Sequence, residues 1–502
     1  MRKIVLVAVC FLITASLVFG GAQAETTAKE KVLRYPVMSE NLDPASQGSG
    51  TYPELSIIYE NLARYKANST DLEPWLAESW DVSADGLEIT FFLREGVQFH
   101  GGYGEFTAED VKFSIERIVN EELPEKGEWI NLDRVDVVEK YTAKVVLNGP
   151  TPTLFTTGLP FQAGMIVSKK AVEALGAEAF NTTPIGTGPY EIESWDVGEK
   201  KVFKRFDGYW GTSILNADKV EFLSVPDFFP AMEADEVDIT YASNALQFQN
   251  AKTSDKADFA GREMRYWWIS IPFNDPVLSN KDARLAFRYA VDVDALVEGG
   301  GFGIFPRANT LVPPLLKGHW ADAPAYEQDL DLAKEYLAKA GYPNGFECSL
   351  TWGSDPDSTV ELLQEQLAQV GIELKINQVE GGLYWESLSS GEYVGIPSYQ
   401  TLPDTGYALS WFITDHYWNT MKYSNTRYDE LYEQGQLEVD QEKRGAIHLE
   451  MQKIMDEDVA VIPIAFLLNG VIFRKGAVDL GPNDQALLPN GVVDLTRVEV
   501  LD

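Results

Sequence analysis

This sequence predicts an α/β protein of more than one lobe. Helix-spaced and strand-alternating segments follow one another through its second half, glycines end the helices, and 502 residues are far more than one small core needs. The alternation is clearest from 331 onward. Residues 331–340 carry Leu332, Tyr336, Leu337 and Ala340 at helical spacing. Gly341 then supplies a stop and Pro343 blocks continuation. A strand over 346–352 follows, then a helix over 359–370 with Val360, Leu363, Leu367 and Val370 on one stripe, stopped by Gly371. Residues 372–376 alternate apolar and polar, as a half-buried strand does. Helices alternating with strands imply crossover units and a mainly parallel sheet. Ligands on such sheets sit at the carboxyl ends of the strands.

The first half differs. Residues 87–93 and 143–147 read as strands, with a helix between them that starts at Thr107. The Thr107 hydroxyl can cap free backbone N–H groups, Asp110 completes the box three residues on, and Val111, Phe113, Ser114 and Ile118 continue the helix. Residues from about 54 to about 183 therefore read as a separate mixed unit rather than as regular crossovers. No internal repeat or low-complexity tract interrupts the chain.

The N-terminus sets the compartment. Arg2 and Lys3 precede an apolar run from Ile4 to Phe19, and Ala22-Gln23-Ala24 places small residues at the two positions a signal peptidase reads. Cleavage after Ala24 would leave Glu25 first; a membrane anchor is the rival reading of the same run. Cys10 lacks a good lipid-attachment context and leaves with the leader. Cys348, the other of two cysteines, lies in a strand-like run and reads as core filler. The net charge is −36 and is spread along the chain, so it favours solubility and argues against a nucleic-acid partner.

Catalytic and metal chemistry find no motif. The four histidines, His100, His319, His416 and His448, stand apart from one another and from cysteine at metal-ligand spacing. No Gly-x-Ser-x-Gly elbow occurs. The glycine-rich run at 299–303 lacks the setting of a nucleotide loop and reads as a flexible turn. Scattered carboxylates carry no weight in so acidic a chain. The expectation is no catalytic residue, no cofactor and no metal.

Three segments resemble the family 5 extracellular solute-binding proteins of ATP-driven importers. The first is Leu76-Ala-Glu-Ser-Trp80, then Asp85-Gly-Leu, Phe92 to His100 and Phe106 to Ser114. The second is Gly186-Thr-Gly-Pro-Tyr190 with Trp195, Gly198 and Tyr209-Trp210-Gly211. The third is Phe273-Asn274 with the Ala-rich segment 282–296. The resemblance implies an α/β, two-lobed periplasmic-binding-protein fold of the class II type with an additional small α/β domain. By analogy 1–24 is the signal peptide, 25–53, 184–268 and 470–502 form a discontinuous first lobe, 54–183 its extra domain, and 269–469 the second lobe. It further implies a monomer that captures a peptide or peptide-like ligand by hinged closure and delivers it to the importer's membrane subunits.

In peptide-binding relatives an aspartate of the second lobe holds the ligand's amine. The corresponding stretch here, 391–406, has Asp404 as its one loop acid, and the amine-binding position falls at Thr401 or Pro403. A buried ammonium needs a carboxylate partner, so Asp404 is the candidate, with a turn residue as the competing role. Trp385, Tyr399, Trp411 and Trp418 flank the same region, and Trp267, Trp268 and Asn274 sit near the expected hinge crossing. Such rings can stack on sugars, peptide side chains or a cation. Ser46, Gln47, Ser49 and Tyr52 form a polar loop where relatives place first-lobe contacts. A neutral oligosaccharide or other organic solute is the alternative cargo. An extracellular hydrolase is the alternative from another class, and a chemoreceptor-facing sensor is compatible with the same fold.

Overall fold

Two strands of 14 residues each organise the molecule: Ala257–Ser270 and Val461–Arg474 pair antiparallel from end to end. Their side chains feed three apolar cores. Ala260 and Val471 enter the first, which draws mainly on residues 33–222 and 477–500. Trp267, Ile269, Ile462 and Ile464 enter the second, and Met264, Tyr266, Trp268 and Phe466 the third. A chain that crosses twice between separately packed bodies is the two-lobed α/β architecture the motifs implied. The computed structural model describes residues 30–36, 39–46, 51–353, 358–380, 383–400 and 402–502. The leader at 1–24 and the candidates Gln47, Ser49 and Thr401 lie outside them.

The first core is covered by two four-stranded sheets. One runs in the order Val32–Tyr35, Lys219–Leu223, Lys200–Arg205, Tyr190–Asp196. The other, from the mixed unit, runs Ala77–Val82, Glu88–Leu93, Thr142–Leu147, Leu132–Glu139. Helix Ala108–Asn120 packs against this second sheet, and its reciprocal Thr107–Asp110 box is formed as the spacing requires.

The crossing strands belong to a sheet ordered Ile239–Ala242, Val461–Arg474, Ala257–Ser270, Ser398–Gln400. Beside it Glu347–Trp352 pairs parallel with Glu373–Gln378, and a Leu350–Val394 bridge links the two systems. The helices between them, Leu330–Ala340 and Ser358–Ala368, form where the apolar stripes place them, and Gly341 closes the first in the left-handed region at φ 92°.

Two local expectations are corrected. The sheets are not mainly parallel: among the described strands only Val32–Tyr35 with Lys219–Leu223 and Glu347–Trp352 with Glu373–Gln378 pair that way. The long crossing pair brings together segments far apart in sequence, and local periodicity carries no direction for such pairs. The glycine run at 299–303 is not simply a turn. Helix Val293–Gly301 continues through it and ends at Phe302 in the left-handed region. The glycines are there for space, since a Cβ on Gly300 would stand 2.7 Å from the Trp267 ring.

The motif residues have structural duties. Glu60 is 4% exposed and accepts bonds from Trp75 and Trp210 indole nitrogens and from Tyr209 and Thr187 hydroxyls, at 2.6–3.0 Å. Gly186 passes so close to the Ile58 carbonyl that a Cβ would lie 2.0 Å from its oxygen.

Candidate functional site

The strand directions mark a candidate place for a ligand. Ser398–Gln400 runs antiparallel to Ala257–Ser270, with Gln400 opposite Arg265. Ile239–Ala242 is antiparallel to Val461–Arg474, which is itself antiparallel to Ala257–Ser270, so it runs the other way from Ser398–Gln400. Tyr241 is level with Val471, and Val471 with Ala260. Strands from the two sides therefore end toward one another over residues 260–265 of the crossing strand. Carboxyl ends of strands are where open α/β sheets leave a crevice for ligands.

Aromatic rings gather on one face of this sheet, the face of Tyr266, which pairs with Tyr399. Trp411 and Trp418 stack at 5.3 Å with planes 14° apart. Tyr399 approaches Trp411 at 3.8 Å, and Trp385 meets Trp418 edge-on at 5.6 Å. The Tyr399 and Tyr407 hydroxyls are 3.2 Å apart. Trp411 is buried, whereas Trp385, Tyr399 and Trp418 are half-buried, so three of these rings retain accessible surface. The four aromatic residues singled out in the second half of the sequence thus form a single cluster.

The remaining candidates scatter. Trp267 packs over the end of helix Val293–Gly301. Trp268, on the opposite face, lies edge-on to Phe412 at 6.2 Å, and its buried indole N–H has no partner. Asn274 is exposed and donates to the Ser390 carbonyl at 2.9 Å, tying two loops together. Ser46 ends a short turn whose Asp43 pairs with buried Arg117. Tyr52 is 5% exposed and stacked on Phe161 at 4.7 Å.

Asp404 is 2% exposed and fully engaged. Its oxygens accept from both terminal nitrogens of Arg444, from the Thr156 hydroxyl at 2.9 Å, and from the Tyr407 backbone N–H at the start of helix Thr405–Ser410. Burial alone would raise its pKa; the Arg444 guanidinium, helped by Thr156, reverses this and holds the carboxyl below its ordinary value. Thr156 belongs to the mixed unit and Asp404 to the loop after Ser398–Gln400, so this carboxylate clasps two parts of the molecule. It also lines a cavity of about 640 Å³ together with Lys66, Trp80, Phe155, Lys317 and Gln441. Two of the cations there are matched. Lys317 reaches Asp71 at 2.9 Å and Glu442 at 2.8 Å, and Arg444 holds Asp404. The unbonded Nε2 of His448 is turned toward Gly435, whose added Cβ would stand 2.8 Å from it. Size alone therefore does not make this cavity the ligand site, because Lys317 and Arg444 already hold carboxylates; Lys66 is the cation named here without an ion pair among the described residues.

Arg265 was missed by the sequence reading. It is half-buried on the crossing strand, its Nη1 donates to the Ser243 carbonyl, and its Nη2 lies 3.5 Å from the Ser398 hydroxyl. The signal was available: one arginine inside the apolar run Met264 to Ile269. Among the described residues no group of three metal-ligating side chains stands together, and no helix is long and apolar enough to cross a membrane.

Comparison with known proteins agrees with this geometry. Residues 71–417 match the family described as bacterial extracellular solute-binding proteins, family 5 Middle. The Dipeptide-binding protein of Escherichia coli (strain K12) is 28% identical over 494 residues, covering 90% of this chain and 91% of that one. Glutathione-binding protein GsiB of Salmonella paratyphi A (strain ATCC 9150 / SARB42) is 30% identical over 419 residues, covering 78% and 79%. The ABC transporter-associated periplasmic binding protein DppA from Helicobacter pylori, solved with the peptide STSA, superposes with a TM-score of 0.67 at 26% identity, over 94% of this chain and 98% of that one. With the two-lobed fold, the paired crossing strands and the match over most of its length, this chain belongs to the family 5 bacterial extracellular solute-binding proteins.

Proposed function

We propose that this protein captures a peptide or peptide-like solute between its two lobes, outside the cytoplasm, and hands it unaltered to the membrane subunits of an ABC importer. The observation that carries the reading is the cluster of Trp385, Tyr399, Trp411 and Trp418, which starts from strand Ser398–Gln400 and leaves three rings half-buried. Aromatic faces supply large contact area at low entropic cost and tolerate varied side chains. Relatives named for dipeptide and glutathione binding, and one solved with a tetrapeptide, point to the same class of cargo. In this reading 25–53, 184–268 and 470–502 form the first lobe, 54–183 its extra domain and 269–469 the moving second lobe. The protein works as a monomer, exported after cleavage behind Ala24, with no chemistry performed on the cargo.

A neutral oligosaccharide is the second reading. Stacked indoles suit sugar faces, and Asp404 has its acceptor positions filled by Arg444, Thr156 and Tyr407. Thermal-shift titration of the mature protein against di- to pentapeptides and oligosaccharides separates the two, since a ligand of the folded state raises the midpoint with concentration. A rise with peptides is expected. A rise with sugars alone overturns the first reading, and turnover of a bound peptide detected by mass spectrometry overturns the claim that cargo is unaltered.

A further inference from the structure

The crossing strand carries a cation with no counter-ion. Arg265 forms no ion pair among the described residues, although the chain has 77 acidic residues. Glu263, two positions earlier, would ordinarily share its face. A register shift between Glu263 and Arg265 breaks that alternation, and the side chain beside Glu263 is His319. The titratable group beside Arg265 is the Tyr241 phenol, whose hydroxyl donates to Asn469 at 3.3 Å.

The guanidinium is half-satisfied in a directional way. Nη1 is used by the Ser243 carbonyl, which follows the carboxyl end of Ile239–Ala242. Nη2 has a long contact to Ser398, and Nε is buried without a partner. In arginine, Nε and Nη2 point their hydrogens off the same edge, the edge that grips a carboxylate with two parallel bonds. A buried, unpaired charge is costly, and a carboxylate arriving at that edge relieves the cost. The edge lies level with the facing strand ends, on the sheet face opposite Tyr399.

We propose that Arg265 is the anchor for a carboxylate of the cargo, so that the site selects solutes bearing a free carboxylate. The inference rests on the reading of this crevice as a peptide-type site. It makes Arg265 a specificity-determining residue that recognises either a peptide's C-terminus or an acidic side chain.

Calorimetric titration with Ala-Ala and Ser-Thr-Ser-Ala, each as free acid and as C-terminal amide, tests it on the unmodified mature protein. The acids should bind about tenfold to a hundredfold more tightly than the amides, as loss of a charge-assisted bidentate contact implies. The preference should collapse in Arg265→Met and return in part in Arg265→Lys, which keeps the charge but not the fork. An amidated peptide that regains affinity when it carries a glutamate assigns the contact to a side-chain carboxylate. Equal affinity of acid and amide for the unmodified protein, with no gain when the amide carries a glutamate, overturns the inference and leaves peptide binding standing; that comparison does not depend on any variant folding. An undiminished preference in Arg265→Met, with native circular dichroism, also overturns it. Binding of no peptide at millimolar concentration removes the cargo reading and this inference with it.

Discussion

Replacing Asp404 with Asn asks whether its carboxylate holds the fold or holds the ligand. The ion pair with Arg444 is buried on both sides, at 2% and 3% side-chain exposure, and Arg444 has no other carboxylate partner among the described residues. Asparagine can still cap helix Thr405–Ser410 at Tyr407 with its one oxygen, while its amide nitrogen can donate to the Thr156 hydroxyl. What is lost is the charge that neutralises Arg444, and breaking one side of a buried pair costs about 3–5 kcal/mol. We expect Asp404→Asn to lower the free energy of urea unfolding by about 3 kcal/mol or more, with peptide affinity nearly unchanged. The pH dependence carries the same sign. The folded pKa lies below the unfolded value, so the carboxylate's contribution is complete above the unfolded pKa and disappears as pH falls through the folded one. The variant should therefore lose part of the acid limb of the stability profile. A change in stability under about 0.5 kcal/mol, the level of an ordinary surface substitution, together with a large loss of affinity, would refute the structural role and return Asp404 to the ligand.

Three further outcomes follow from buried groups. Burial pushes the Glu60 carboxyl up to about 7 despite its four donors. Stability should therefore fall as pH rises from the unfolded value near 4.5 to about 7, by up to about 3 kcal/mol, and Glu60→Gln should flatten that slope in pH-resolved chemical unfolding. Gly186→Ala should cost several kcal/mol or abolish soluble expression, since its Cβ would meet backbone rather than a yielding side chain; a native thermal midpoint would count against the close packing. Cys348 is 3% exposed, and burial pushes its thiol up to about 12. A thiol reagent should therefore label it only under denaturing conditions.

What could be read in the sequence was what is local. The helix stripes over 331–340 and 359–370, their glycine stops and the Thr107–Asp110 box depend on neighbours within a turn or two, and each stands where the spacing puts it. The aromatic cluster was legible for the same reason, because Tyr399, Trp411 and Trp418 are close in the chain. Pairings across long separations were not legible. Nothing local tells that Val461–Arg474 returns antiparallel along Ala257–Ser270, or that Arg444 takes the Asp404 carboxylate. Arg265 was hidden by the register shift beside it, which places the side chain by an irregularity no period-two pattern contains. The glycines at 299–301 looked like flexibility because the Trp267 ring that needs the room lies over 30 residues earlier.

A crystal structure of the mature protein soaked with Ser-Thr-Ser-Ala would speak most directly to capture between the lobes. The peptide is expected at the facing strand ends beside residues 260–265, with a carboxylate on Arg265. Density in the cavity walled by Lys317 and Asp71 instead, with the strand-end crevice empty, would contradict it.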